Sequence, residues 1–332
     1  MPSRPSGQLP LFADVDAVDP APVPAETLRL AAALPERLRL GTSSWSFPGW
    51  TGIVYAPHDG RPQTEQRLAR HGLAAYAAHP LLRTVSLDRT FYAPLSAAEF
   101  AAYAAQVPDG FRFVVKAPAA FTDPVIRHAG SGTVARDNPS FLDAAAATAT
   151  FVRPAIAGLA GRAGPLVFQF PPLGRRLLAD VPGTIARIAA FAATLPRGPT
   201  LAVEVRDPEL ATPEFAAALA ASGAVPCLAI HARMPPAAAQ AAAFGLDGPG
   251  GACPLVSRWN LHAGRDYEGA RARYAPFDRL VEEDTTTRDA LARIATATAA
   301  AGRDVFITIN NKAEGSAPLS VLALARRIAG AD

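Results

Sequence analysis

Cysteine is scarce in this chain, with Cys227 and Cys253 the only two in 332 residues, and neither stands at the CxxC or Cys/His spacing of a zinc site. A disulfide framework is not expected, and Cys227, inside the apolar run PCLAI, reads as a core residue. Long hydrophobic runs are missing as well. No stretch approaches the ~18 apolar residues of a membrane span, and the opening MPSRPSGQLPLFADVDAVD has no apolar signal-peptide core, so a cytoplasmic setting without a membrane partner is expected. Basic residues form no blocks. The formal charge of +3 is scattered along the chain, which neither calls for nor excludes nucleic acid. No HxxH or DxD cluster stands at the strand ends, and the glycine-rich GSGT (130–133) and GPGGA (248–252) do not stand between a strand and a helix as a nucleotide loop requires. Neither a metal nor a cofactor is therefore expected.

What is present is apolar bulk: 50% hydrophobic residues and 18% charged ones are enough for a large core. Residues 1–35, rich in Pro, Ala and Asp without a sustained period, predict a flexible tail, in which AETLRLAAAL holds material for a helical turn or two. From residue 36 to 332 a single domain is predicted. Eight short β-like runs recur there: LRLGT (38–42), TVSLD (84–88), FRFVVKA (111–117), PLVFQF (165–170), LAVEVR (201–206), PCLAI (226–230), LVSRWNLH (255–262) and DVFITINN (304–311). Ala-rich segments with apolar residues at three- and four-residue spacing separate them, as amphipathic helices would. Eightfold alternation predicts an α/β fold, a (β/α)8 TIM-type barrel, with an open doubly wound sheet as the alternative.

The barrel reading is favoured by where the polar residues fall. Asp88, Lys116, Gln169, Glu204 with Arg206, His231, His262, and Asn310 with Asn311 all stand at strand ends, where such barrels carry their chemistry. Period-two alternation puts Ala202, Glu204 and Arg206 on the axial face, and Arg258, Asn260 and His262 together on another strand. Glu204 and Arg206 either hold a ligand jointly or pair with each other. Lys116 has three readings: an anion holder, a Schiff-base nucleophile, or a counter-ion to Glu204 or Asp88. His262 is the preferred general acid/base over His231, with a packing or binding role as its alternative. Lys116 and Arg206 in the same ring would oppose a divalent cation. Trp45, Phe47 and Trp50 follow the first strand and Thr90, Phe91 and Tyr92 the second, so aromatic faces would wall the mouth or else lid it as packing.

Taken in order, GTSSWSFPGW, TVSLDRTFYAPLS, FRFVVKAP, GPLVFQFPP, AVEVRDP, LHAG and VFITINNKAEGSAPLSVLALA resemble domain of unknown function 72, the YecE-like family, over residues 38–328. The resemblance implies a TIM-type barrel and brings no established activity. Trp45, Thr90, Phe91, Tyr92, Lys116, Gln169, Glu204, Arg206, His262, Asn310 and Asn311 match its pattern. Ser86, Asp88, Asp123 and the Asn260-Leu261-His262-Ala263 stretch depart from it, and Arg258 is the candidate to supply a displaced guanidinium.

One segment lies outside the predicted barrel. Gln8-Leu9-Pro10-Leu11-Phe12 resembles the peptides with which bacterial replication and repair proteins dock on the sliding clamp: Gln8 for hydrogen bonding, Leu11 and Phe12 as anchors. The expected function is thus binding of, or action on, a small polar metabolite, carbohydrate-like or phosphorylated. Lys116, Glu204 and His262 are its candidate catalytic groups, and Trp45, Asp88, Tyr92, Gln169, Arg206, Arg258, Asn310 and Asn311 its binding groups. A DNA-associated repair protein recruited to the clamp is the alternative.

Overall fold

The computed structural model describes residues 17–128, 132–248 and 253–331. Among them the strands are β1 (Leu38–Thr42), β2 (Leu82–Leu87), β3 (Arg112–Lys116), β4 (Val125–Arg127), β5 (Val134–Asp137), β6 (Ala163–Gln169), β7 (Leu201–Glu204), β8 (Val225–Ile230), β9 (Leu255–Trp259) and β10 (Val305–Ile309). Eight of them close a parallel barrel in the order β1-β10-β9-β8-β7-β6-β3-β2, with helices in the connections. These are the eight runs legible in the sequence. The antiparallel β4–β5 hairpin, in the excursion after β3, is additional. Its second strand is exposed throughout, so it lacks the apolar alternation that betrays a core strand.

Barrel strands are buried on both faces, and successive side chains serve two different cores. Leu201, Val203 and Val205 point outward into the large core beneath the helices. Inward-facing Val114, Val167, Ala202, Cys227, Val256 and Phe306 fill the barrel itself. Two positions further along the same strands come Lys116, Gln169, Glu204, Arg258 and Thr308. The strand period therefore stacks a polar layer directly above the apolar plug.

Closure at the β1–β2 seam depends on small atoms. A Cβ on Gly41 would sit 1.8 Å from the Thr84 carbonyl oxygen, so only glycine fits. Beside it the buried Tyr76 hydroxyl accepts from the Thr42 N–H at 3.0 Å and donates to the Thr84 carbonyl at 2.9 Å, tying the two strands together.

Residues 17–35, placed by the sequence pattern in a flexible tail, are structured against the barrel. The stretch AETLRLAAA forms a helix over Ala25–Ala33 that packs on the C-terminal helix Ala317–Ala329, with Glu26 and Arg326 2.9 Å apart. Val18, Leu30 and Leu34 are buried, and the Ala21 N–H donates to the Val54 carbonyl. Apolar side chains that find a groove on the barrel's outer layer offset the entropy of ordering this segment. Gln8, Leu11 and Phe12 lie outside the described residues.

Candidate functional site

The polar layer opens into a cavity of about 480 Å³ at the carboxyl ends of the strands. Asp88, Lys116, Gln169, Arg206, Arg258 and Asn310 line it, joined by His231, Arg233, Asn260 and Tyr267. A larger hollow of about 720 Å³ runs along Asp289–Ala300 and Arg327 on the outer helices, but its lining is mainly alanine and the helices' outer charges, with no convergence of strand-end groups. The chemistry belongs to the barrel mouth.

Glu204 forms the floor. Its side chain is wholly buried, one oxygen paired with Arg206 and the other accepting from Arg258 Nη1 at 2.7 Å. Burial alone would raise its pKa, yet Arg206 and Arg258 override that and hold it down to about 2. Arg258 also reaches Asp88, with Nη2 3.0 Å from Oδ2. Burial works against the charge on Arg258, but Glu204 and Asp88 more than compensate and raise its pKa. Ser86 steadies Asp88 from the same strand, its hydroxyl donating to Oδ1 at 2.6 Å. A carboxylate–guanidinium network thus closes the bottom of the cavity with every charge matched.

Lys116 stands apart from that network. Both nearby carboxylates are engaged by arginine, and among the described residues Lys116 makes no ion pair. Its ammonium lies 3.6 Å from the centroid of the Phe91 ring. Burial, reinforced by the charge of Arg258, pushes its pKa down to about 8, with Asp88 and Glu204 opposing. The counter-ion reading of Lys116 is therefore not the arrangement found. His231 is half-buried, and desolvation with the Arg206 charge lowers its pKa to about 4, leaving a neutral imidazole at pH 7. Its Nδ1 faces the Arg233 N–H at 3.3 Å, which leaves the ring hydrogen on Nε2.

A family model described as a protein of unknown function, DUF72, matches residues 39–332. The chain belongs to the DUF72 family. Its fold is similar to that of a DUF72 family protein of Enterococcus faecalis V583, at 15% identity and a TM-score of 0.59, covering 88% of this chain and 95% of that one. It is also similar to a DUF72 family protein of Thermotoga maritima MSB8, at 18% identity and a TM-score of 0.57, covering 87% and 98%. No curated protein matches the chain.

In this DUF72 protein five of the residues expected at the site do not line the cavity: Glu204 lies fully buried beneath it, and four others are placed elsewhere. Trp45 donates its Nε1–H to the Leu68 carbonyl at 3.1 Å and sets its ring edge-on to Tyr103, so it packs against the outer core rather than walling the mouth. Asn311 is buried, its Oδ1 accepting from Trp50 Nε1 at 3.1 Å and from the Ala317 N–H at 2.8 Å. It caps the C-terminal helix, whose own N-cap residue Ser316 makes no side-chain capping bond. Tyr92 is 85% exposed and touches Phe91 edge-on. His262 lies past the end of β9, with its Nδ1 2.6 Å from the Ala263 carbonyl. The sequence pattern carries the strand on to His262, but it ends at Trp259, and beyond that point alternation no longer fixes direction.

Conversely, Arg233 and Tyr267 come to the cavity from loops and helix starts after β8 and β9, where no periodic signal marks them. Among the described residues, no group of three His, Cys, Asp or Glu side chains is arranged to hold a metal, and no helix is long and apolar enough to cross a membrane.

Proposed function

We propose that the barrel mouth binds a small polar metabolite bearing a phosphate or carboxylate. The observation that carries this reading is the charge balance around the cavity. Lys116, Arg206, Arg233 and Arg258 face Asp88 and Glu204, and the two carboxylates are already matched by Arg258 and Arg206. A positive surplus remains, in a cleft whose low-dielectric walls strengthen its attraction for an anion. Gln169, Asn260 and Asn310 supply amides suited to hydroxyl groups, and Tyr267 a ring face suited to a sugar.

Thermal unfolding in the presence of inorganic phosphate, sugar phosphates and the matching neutral sugars tests the reading. A ligand at a hundred times its Kd adds about 2.7 kcal/mol of stability. Phosphorylated compounds are expected to stabilise the protein at constant ionic strength, and Lys116→Ala and Arg233→Ala to weaken the effect. Equal stabilisation by neutral sugars, or by phosphate in both variants, refutes it.

A second reading rests on Gln8-Leu9-Pro10-Leu11-Phe12, whose pattern favours recruitment to a sliding clamp and so action near DNA. Titrating clamp with the intact protein and with Leu11→Ala/Phe12→Ala decides it, since absence of binding by the intact protein removes the reading.

A further inference from the structure

Arginine carries almost all of the positive charge in this chain. Of its 32 basic side chains only two are lysine, Lys116 and Lys312, and both are at the barrel mouth. Lys116 lines the cavity. Lys312 lies at its edge, with Nζ 3.2 Å from Asn310 Oδ1 and 4.1 Å from the centroid of the Tyr267 ring, both partners being cavity residues. If these positions needed only a cation to hold an anion, arginine would serve at least as well, since its planar fork grips phosphate or carboxylate with paired hydrogen bonds. What a lysine nitrogen adds is the ability to shed its proton and attack carbon.

The two lysines are not equivalent. Lys312 is nearly buried and donates to the Asn310 amide oxygen, a contact that fixes its ammonium. Lys116 makes no ion pair among the described residues and rests against the face of Phe91 in the lining of the cavity. We propose that Lys116 is a nucleophilic amine that condenses with the carbonyl carbon of an anionic aldehyde or ketone, forming an imine in the cavity; the inference rests on the anion-binding reading above.

The step balances without a redox partner. The free amine adds to the carbonyl carbon, the C–O bond of the resulting carbinolamine breaks, and the oxygen leaves as water. Counted from the ammonium, two of its three N–H protons depart in that water and the iminium keeps the positive charge. With a pKa of about 8, roughly a tenth of Lys116 is free amine at pH 7, against fewer than one in a thousand for an ordinary lysine. The neutral imidazole of His231, in the same cavity, is suited to relay the protons, and Asp88, Glu204, Arg206 and Arg258 set the field around the nitrogen. Arg233, which lines the cavity outside that network, is available to hold the ligand's anionic group.

Pyridoxal 5′-phosphate, a phosphorylated aldehyde whose imine absorbs visible light, is the probe, followed by borohydride reduction and peptide mass mapping. The sequence offers only three amines to label: Lys116, Lys312 and the α-amino group. The expected result is a reduced adduct on Lys116 that forms with a midpoint near pH 8, is competed by inorganic phosphate, and forms at least tenfold less readily with unphosphorylated pyridoxal. Lys116→Arg should abolish the adduct while thermal stabilisation by phosphate persists, and Lys312→Arg should keep the adduct. Labelling spread evenly over the three amines, or an adduct surviving in Lys116→Arg, overturns the nucleophile. Failure of phosphate to stabilise or compete in the unaltered protein overturns the anion pocket instead, so the two failures are told apart.

Discussion

Replacing Glu204 with glutamine keeps the shape of the cavity floor and removes its charge. Of the two guanidiniums it neutralises, Arg258 would keep only the half-exposed Asp88, and Arg206 would have no carboxylate partner among the described residues. Two routes give the size of the effect. Folding draws the Glu204 pKa from an ordinary 4.5 to about 2, which at ~1.4 kcal/mol per pH unit corresponds to about 3 kcal/mol of stability. Breaking one side of a buried ion pair costs about 3–5 kcal/mol by comparison with other proteins. Because the folded pKa is depressed, the contribution is fully present above pH 4.5 and is lost as pH falls toward 2. Glu204→Gln should therefore lower stability at pH 7 by about 3 kcal/mol, or about 4–5 °C in Tm for a chain of 332 residues, and the gap to the unaltered protein should narrow steadily between pH 4.5 and 2. Denaturant titrations across that range measure it. Equal stability at pH 7, or a gap that persists unchanged at pH 2, would refute the account of the floor as a charge-matched network.

Other expectations concern the scaffold and the imidazole. Tyr76→Phe removes the acceptor of the buried Thr42 N–H at the β1–β2 seam, and equilibrium unfolding should show a loss of about 1–3 kcal/mol. Asn311→Ala strands two buried donors, Trp50 Nε1 and the Ala317 N–H, so a loss of about 2–5 kcal/mol is expected while stabilisation by phosphate is retained, because Asn311 is outside the cavity. His231 should stay neutral until pH falls to about 4, as NMR titration of the imidazole would report. An unfolded histidine takes up its proton near 6.5, so stability should decline as pH drops from 6.5 toward 4, and His231→Gln should soften that decline in denaturation curves at pH 7 and 5.

Much of the architecture follows from local patterning, because a strand buried on both faces must be apolar along its length and a helix packed outside it must carry an apolar stripe. Eight such runs, each turning polar where it ends, are enough to specify the barrel and to place Asp88, Lys116, Gln169, Arg206, Arg258 and Asn310 at one end of it. Inside a strand, alternation assigns direction. Ala202 below Glu204 and Val256 below Arg258 repeat what a period of two requires.

Tertiary structure alone decided what those ends do to one another. Whether Glu204 pairs with Arg206, with Arg258 or with both depends on which strands are neighbours across the barrel and on burial deep enough to forbid an unmatched charge. Past the last paired residue the chain has no period, so nothing local distinguishes Asn310, which lines the cavity, from Asn311, which caps a helix, or sends His262 away while bringing Arg233 and Tyr267 in. The freedom of Lys116 has the same origin. Its carboxylate neighbours are occupied by arginines from β9 and from the end of β7, strands distant from it in sequence that only closure of the barrel brings within reach.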